Sequence, residues 1–220
     1  MQIEPVATFH SPFSSKFGIP RQSGVVPDLE GEIRLEGRFS REEALRGLEG
    51  FSHLWLIWGF SANRETASES LLVRPPRLGG NRSVGVFASR SPYRPNPLGL
   101  SSVRILSIDA TRGIIRVAGA DLMDGTPIFD IKPYIPYTDS HPDAASGFVD
   151  ETPWQPLEVV FPPELASGFT PQERSALRDI LAQDPRPAYQ TSEKVYGFPF
   201  AGRDIRFTVS GSVLKVVDVL

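Results

Sequence analysis

Short strand-like runs, punctuated by turns, fill most of the first 150 residues, and almost no helix separates them. "EIRLEGRF" alternates in the strand period, while "HLWLIWGF" is a continuous apolar run rich in aromatics, suited to a buried strand. "VGVFAS" reads as another strand. "SVRILSID" and "GIIRVAGAD" flank "ATRG" as the arms of a hairpin. "TPIFDIKPYIPY" is extended, because Pro133 and Pro136 exclude a helix there. One short helix is expected in "SREEALRGLEGF", with Ser40 and Glu43 as a capping box and Gly50 as its stop. A parallel doubly wound sheet needs helices between its strands. Six or so strands without them predict a mainly β fold built on a small closed or nearly closed barrel.

The texture changes near residue 150. "DETPW" and "FPPELASG" read as connection. "TPQERSALRDILAQD" is a helix with Thr170 at the N-cap, Pro171 at N1 and Glu173 at N3. "KVYGFPF", "GRDIRFTVS" and "SVLKVVDVL" are three more short strands. The division expected is a barrel domain over 1–150 and a smaller α+β unit over 151–220.

Several functions are excluded by what the chain lacks. No cysteine is present, which removes thiolate metal sites and a cysteine nucleophile. No GxGxxG, P-loop or GxSxG pattern occurs. His10, His53 and His141 are widely spaced, so no histidine metal cluster is expected, and His53 in "FSHLW" reads as a core histidine. The longest apolar run, "LWLIWGF", is far short of the ~18 residues that span a bilayer, and a cytoplasmic protein is the simplest expectation.

The net charge is -3, but it is unevenly spread. Ser70 to Ile108 holds six arginines and no acid, whereas Asp109 to Glu151 carries -5. The two runs either pair with each other or set a cationic patch beside an acidic pocket. Within the basic run lies "SRSPYRPNPLG", residues 89–99. Pro92, Pro95 and Pro97 fix φ there, as a preorganised binding loop requires. Arg90 and Arg94 are expected on one side of it, and Tyr93 can stack on a base.

Six ordered motifs carry a resemblance: "FGIPRQSG", "GLEGFSHLWLIWGF", "VRPPRLGGN", "GVFASRSPYRPNPLGLS", "DLMDGTPIFDIKPYIPY" and "LAQDPRPAY". Together they resemble the TsaA/YaeB family, also called the tRNA methyltransferase O family. That resemblance implies a β-barrel binding S-adenosylmethionine without a Rossmann fold. It implies methylation of N6 of threonylcarbamoyladenosine 37 in threonine tRNA. It also implies a homodimer with the cofactor near the subunit contact. Carried over by motif, the cofactor residues are Pro20, Arg21, Gln22, Ser61, Ala62, Arg90, Leu100, Met123, Asp124, Gly125 and Thr126. Some relatives have histidine in place of Ser61. Arg90 would fork onto the methionyl carboxylate, and amides around Gly125 would hold a carboxylate or the adenine edge.

The N6 lone pair is delocalised, so a base is expected, with Asp124, Asp130 and Tyr134 as candidates. Tyr93, Arg94 and Lys132 are the candidate tRNA contacts, with Arg94 or Lys132 receiving the threonyl carboxylate. No metal and no membrane enter this reading. A non-catalytic RNA-binding or adenosyl-ligand sensing module, and a small-molecule methyltransferase, are the alternatives. A unit specialised for RNA at the C-terminus predicts that removing it spares cofactor binding and costs tRNA methylation.

Overall fold

The computed structural model describes residues 2–63, 70–78, 82–152, 155–186 and 194–220. Eight strands come first: β1 (Ala7–His10), β2 (Glu30–Leu35), β3 (His53–Gly59), β4 (Leu72–Val73), β5 (Val84–Gly85), β6 (Leu98–Asp109), β7 (Ile114–Ala118) and β8 (Thr126–Pro133). Six of them close a barrel in the order β1-β2-β7-β6-β3-β8, every neighbouring pair antiparallel. Closure leaves this sheet no free edge. β4 and β5 form a separate ribbon.

The strand period sorts side chains as the sequence suggests. In β3, Leu54, Leu56 and Trp58 point into the core while His53, Trp55 and Ile57 face out. A bulge interrupts β8. Ile57 pairs with Asp130 but Trp58 pairs with Ile128, so Phe129 is the extra residue. Inward parity therefore passes from Ile128 to Ile131, and Asp130 is left on the outer face.

Antiparallel closure has one consequence that positions the site. The ends of β1, β3 and β7 and the starts of β2, β6 and β8 lie on one rim, as the pairs Phe9–Thr126, Glu30–Ala118 and Gly59–Leu98 show. Connections 11–29, 60–97 and 119–125 all leave this rim.

Several local expectations are corrected. "VGVFAS" is mostly not strand: β5 stops at Gly85 and Val86–Ala88 turn as a 3-10 segment. The first helix shrinks to α1 (Glu42–Leu45) with Arg41 at its N-cap and no capping bond, because Ser40 Oγ donates back to the Gly37 carbonyl. Gly47, at φ +87, then breaks the run. Pro136 opens a helical turn, α2 (Pro136–Asp139), since proline is tolerated at N1 where its missing N–H has no partner to lose. His53 is not a core residue. It sits half-buried on the outer face, its Nδ1 2.9 Å from Ser52 Oγ and its ring 6.1 Å from that of Tyr134.

A turn α3 (Phe148–Glu151) leads to the second unit. It contains β9 (Glu158–Val160), α4 (Pro163–Ala166), α5 (Pro171–Ala182), β10 (Tyr196–Phe200), β11 (Arg203–Ser210) and β12 (Val213–Val219). α4 lies within the segment read as connection. The sheet order is β10-β11-β12-β9, with β9 parallel to β12. α5 has the expected capping box, Thr170 and Glu173 each bonding the other's backbone N–H. Its inward face, Leu177, Ile180 and Leu181, shares one buried core with Phe198, Phe207 and Leu214.

The second core is not built from the second unit alone. Phe13, Val26 and Leu29, all from the 11–29 connection of the barrel, are buried in it. Phe13 meets Phe200 edge-on at 5.4 Å, the Pro12 carbonyl accepts Ala201 N–H at 3.0 Å, and Asp28 accepts Ser175 Oγ–H at 2.7 Å. Gly18, at φ +89, lies so close to the Phe198 ring that a Cβ would stand 2.4 Å from it. Burying each large apolar side chain contributes about 1.5–3 kcal/mol.

Candidate active site

The three connections that share a rim carry most of the residues expected to hold a cofactor. Pro20, Arg21 and Gln22 lie on the 11–29 connection, Ser61, Ala62 and Arg90 on 60–97, and Met123 to Gly125 on 119–125, with Thr126 opening β8. The first two are joined directly, since Arg90 Nη1 donates to Gln22 Oε1. Phe60 N–H donates to the Pro97 carbonyl at 2.9 Å, which draws the Ser61 turn against "PNPLG". Leu100 is exposed on the outer face of β6, opposite Ile57. Arg21 turns toward the second unit, Nη2 3.5 Å from the Asp184 carbonyl. Asp184 and Arg186 of "LAQDPRPAY" form a two-pronged ion pair, both bonds 2.8 Å. Pro187, Ala188 and Tyr189 of that motif lie outside the described residues, as do Gly79, Gly80 and Asn81 of "VRPPRLGGN".

The turn around Gly125 is wired differently from expectation. Its amides already serve the fold: Asp124 N–H bonds the Phe13 carbonyl, Gly125 N–H the Phe9 carbonyl and Thr126 N–H the Met123 carbonyl, at 2.9, 2.9 and 3.2 Å. They hold the turn to β1 and the 11–29 connection, so an incoming carboxylate or adenine would have to displace them. What the turn presents is the Asp124 side chain. Its Oδ1 accepts Ser11 N–H and stands 3.2 Å from His10 Nδ1. The sequence offered no reason to pair His10 with Asp124, 114 positions away.

The candidate bases separate. Asp124 is on the motif rim. Asp130, four residues along β8, pairs with Lys132 at 2.9 Å on the outer face. Tyr134 lies beyond the far end of β8, where its N–H donates to the His53 carbonyl and its ring sits 5.5 Å from Trp55. At ~3.3 Å per residue, Asp130 and Tyr134 are roughly 13 and 26 Å along the chain from Thr126.

The stiff loop 89–99 braces itself. Ser89 Oγ donates to the Val86 carbonyl, and Ser91 N–H and Tyr93 N–H bond Ser89 Oγ and Ser91 Oγ. Tyr93 is exposed. Arg94 does not share a side with Arg90. It turns back into the loop, Nη1 3.1 Å from the Ser89 carbonyl and 3.5 Å from that of Ser91. Arg94→Ala is therefore expected to lower the melting temperature by a few degrees, with cofactor and tRNA affinity falling together. An unchanged melting temperature with a salt slope shallower by about one phosphate contact would contradict this bracing role.

Besides His10, Asp121 at the site escaped sequence reasoning. Asp121 accepts Ser101 Oγ–H at 2.5 Å, and Ser101 Oγ accepts Trp58 Nε1–H at 2.9 Å. Burial pushes the Asp121 carboxyl above its ordinary value, against the opposing pull of the Ser101 hydrogen bond and the charge of Arg90. Its only signal in the sequence was an acid placed just before "LMDGT".

Two family models match the chain: the tRNA-methyltransferase O N-terminal domain over residues 8–140 and the TrmO C-terminal domain over residues 154–220. A tRNA (adenine(37)-N6)-methyltransferase of Escherichia coli is 38% identical over 98% of this chain and 96% of its own length. RcsF of Pseudomonas aeruginosa, which carries a provisional S-adenosylmethionine-dependent methyltransferase name, is 40% identical over 99% of this chain and 96% of its own. A crystal structure of TrmO from Pseudomonas aeruginosa superposes with a TM-score of 0.79 at 31% identity, covering 100% of this chain and 98% of that one.

Proposed function

The chain belongs to the tRNA-methyltransferase O family, and from that membership we propose that it methylates N6 of threonylcarbamoyladenosine at position 37 of threonine tRNA. It is an S-adenosylmethionine-dependent tRNA (adenine(37)-N6)-methyltransferase: the Escherichia coli relative is named for the tRNA reaction and RcsF for dependence on S-adenosylmethionine. The threonylcarbamoyl group and the choice of threonine tRNA rest on the motif resemblance. The observation that carries the site assignment is the convergence of three motif-bearing connections on one barrel rim, with Arg90 bonded to Gln22 across two of them.

The donor set on that rim suits the methyl donor. S-adenosylmethionine brings a carboxylate, an ammonium, a sulfonium and an adenine. The rim offers the Arg90 guanidinium, the Gln22 amide, the carboxylates of Asp121 and Asp124 and the adaptable Met123. When bound, S-adenosylmethionine supplies an electrophilic methyl carbon for in-line attack. Arg90 anchors the carboxylate end as a fork, and Gln22 fixes the direction of that fork. Asp124 is the candidate base on this rim, since its contacts with Ser11 and His10 engage Oδ1 and leave Oδ2 to take the N6 proton. Most of the acceleration comes from positioning, which the proline-stiffened 89–99 loop supplies. Arg94 spends Nη1 on carbonyls, and the donors on Nε and Nη2 can still meet the threonyl carboxylate.

The same proposal includes a homodimer acting in the cytoplasm. Around the β4–β5 ribbon Phe87 is 80% exposed, Leu71 66% and Leu72 62%, apolar surface that a second copy would cover. Sedimentation as a monomer at micromolar concentration would remove the dimer. Among the described residues no helix is long and apolar enough to cross a membrane, and no group of three side chains could hold a metal ion.

Nucleoside mass spectrometry tests the activity. In a strain lacking its own enzyme, this chain should restore the methylated form of threonylcarbamoyladenosine in threonine tRNA. Methylation of unmodified adenosine 37 instead, or no methylation by folded protein, would overturn the substrate assignment.

A further inference from the structure

Asp121 stands where four parts of the chain meet. Ser101, on β6, donates to its Oδ1, and Trp58, on β3, donates to Ser101. Ser101 is 1% exposed and Trp58 7%, so this side of the carboxylate is anchored in the barrel core. On the other side, Gly24 N–H of the 11–29 connection bonds the Gly119 carbonyl at 2.8 Å, two residues before Asp121, and the charge of Arg90, on 60–97, acts on the carboxylate. Arg90 in turn donates to Gln22, on the same connection as Gly24.

A partly buried carboxylate is a poor device for stability. Taking it out of water costs more than a well-packed apolar group would, unless its partners are well placed. Here the partners divide into two kinds. Ser101 and Trp58 belong to rigid strands, whereas Arg90 and the segment at Gly24 belong to the loops assigned to the cofactor. The carboxylate thus transmits the rigidity of the barrel to the loops.

We propose that Asp121 is a positioning residue for the cofactor end of the site: through Arg90 and the Gln22–Gly24 segment it aims the guanidinium fork that receives the methionyl carboxylate. The inference rests on the placement of S-adenosylmethionine against Gln22 and Arg90. It predicts that losing the charge of Asp121 harms binding of the methyl donor selectively, without touching tRNA.

The test uses the full chain carrying Asp121→Asn, which keeps the shape and an oxygen for Ser101 but drops the charge. Because ionised Asp121 is disfavoured by burial, the variant should melt no more than a few degrees below the original chain. Its affinity for S-adenosylmethionine, read by calorimetry, should fall about tenfold, the scale of one misdirected charge-assisted hydrogen bond. KM for S-adenosylmethionine should rise by a similar factor, while kcat at saturation and KM for tRNA stay within about twofold, as loss of uniform binding requires. The double variant with Arg90→Ala should bind no more weakly than Arg90→Ala alone, because Asp121 acts through Arg90.

Unchanged affinity in folded Asp121→Asn, beside a weakened Arg90→Ala, overturns the role of Asp121, and so do additive losses in the double variant. Full-strength binding by Arg90→Ala is a different result, which overturns the placement of the cofactor itself. Should Asp121→Asn not fold, Ser101→Ala puts the same question by removing the bond that fixes Oδ1. A raised KM for S-adenosylmethionine with unmoved KM for tRNA supports the proposal, and an unmoved KM for S-adenosylmethionine overturns it.

Discussion

Deleting residues 151–220 is expected to abolish tRNA methylation and to weaken S-adenosylmethionine binding by about tenfold or more, the scale of at least one lost charge-assisted hydrogen bond. From the motif order alone the cofactor site should survive this truncation, because its residues end before residue 140. The tertiary structure reverses that expectation. Phe13, Val26 and Leu29 are buried in the core of the second unit, with Phe17 and Ile19 packed beside them. Truncation exposes all five on the barrel. The connection that carries Gln22 then loses its anchor and samples many conformations, so the partner of Arg90 is no longer held in place.

A milder perturbation separates anchoring from simple loss of RNA contacts. Phe13→Ala in the full chain removes a fully buried ring that meets Phe200 at 5.4 Å. It should destabilise by roughly 3–5 kcal/mol and should also reduce affinity for S-adenosylmethionine, although Phe13 is not among the residues expected to touch it. Calorimetry on both proteins, with folding checked by circular dichroism, decides the matter. A folded 1–150 fragment that binds S-adenosylmethionine as tightly as the full chain would show that the 11–29 connection orders itself without the second unit.

Gly99→Ala is expected to be the most damaging single methyl in the barrel. A Cβ there would stand 2.2 Å from Trp58 Cε2 and 2.4 Å from Cζ2. The constraint is space and not backbone conformation, since Gly99 has no positive φ. The ring cannot easily yield. It is nearly buried, lies edge-on to Phe60 at 4.5 Å and is tied through Nε1 to Ser101. Overpacking of this kind costs about 1–3 kcal/mol, and a rigid indole places the expected loss at the upper end. Moving Trp58 also breaks the chain to Ser101 and Asp121, so affinity for S-adenosylmethionine should fall with the melting temperature. Gly85→Ala is the control, because its added methyl meets nothing within 4 Å. Equal melting temperatures for the two variants would mean that the indole does not lie over Gly99.

Much of this protein was legible locally. The alternation in "HLWLIWGF" determined which β3 side chains enter the core, because successive residues of a strand face opposite ways. "ATRG" determined the β6–β7 hairpin, and Thr170, Pro171 and Glu173 determined where α5 begins. In each case the signal and the structure it specifies lie within a few residues of one another. Where a local signal failed, a local competitor had won: Ser40 bonded the Gly37 carbonyl instead of capping α1, and Pro136 took an N1 position instead of extending β8.

The motifs also announced the family, but not how their residues meet. Antiparallel closure of six strands put connections 11–29, 60–97 and 119–125 on one rim and carried Tyr134 to the other. The bulge at Phe129 turned Asp130 outward. Long-range pairing brought His10 to Asp124, used the amides around Gly125 for the fold, buried Phe13 in the second core and set Asp121 between Ser101 and Arg90. None of these follows from period, capping or composition, because each depends on strand register or on contacts between segments from about twenty to nearly two hundred residues apart, which only the closed barrel and its docked second sheet decide.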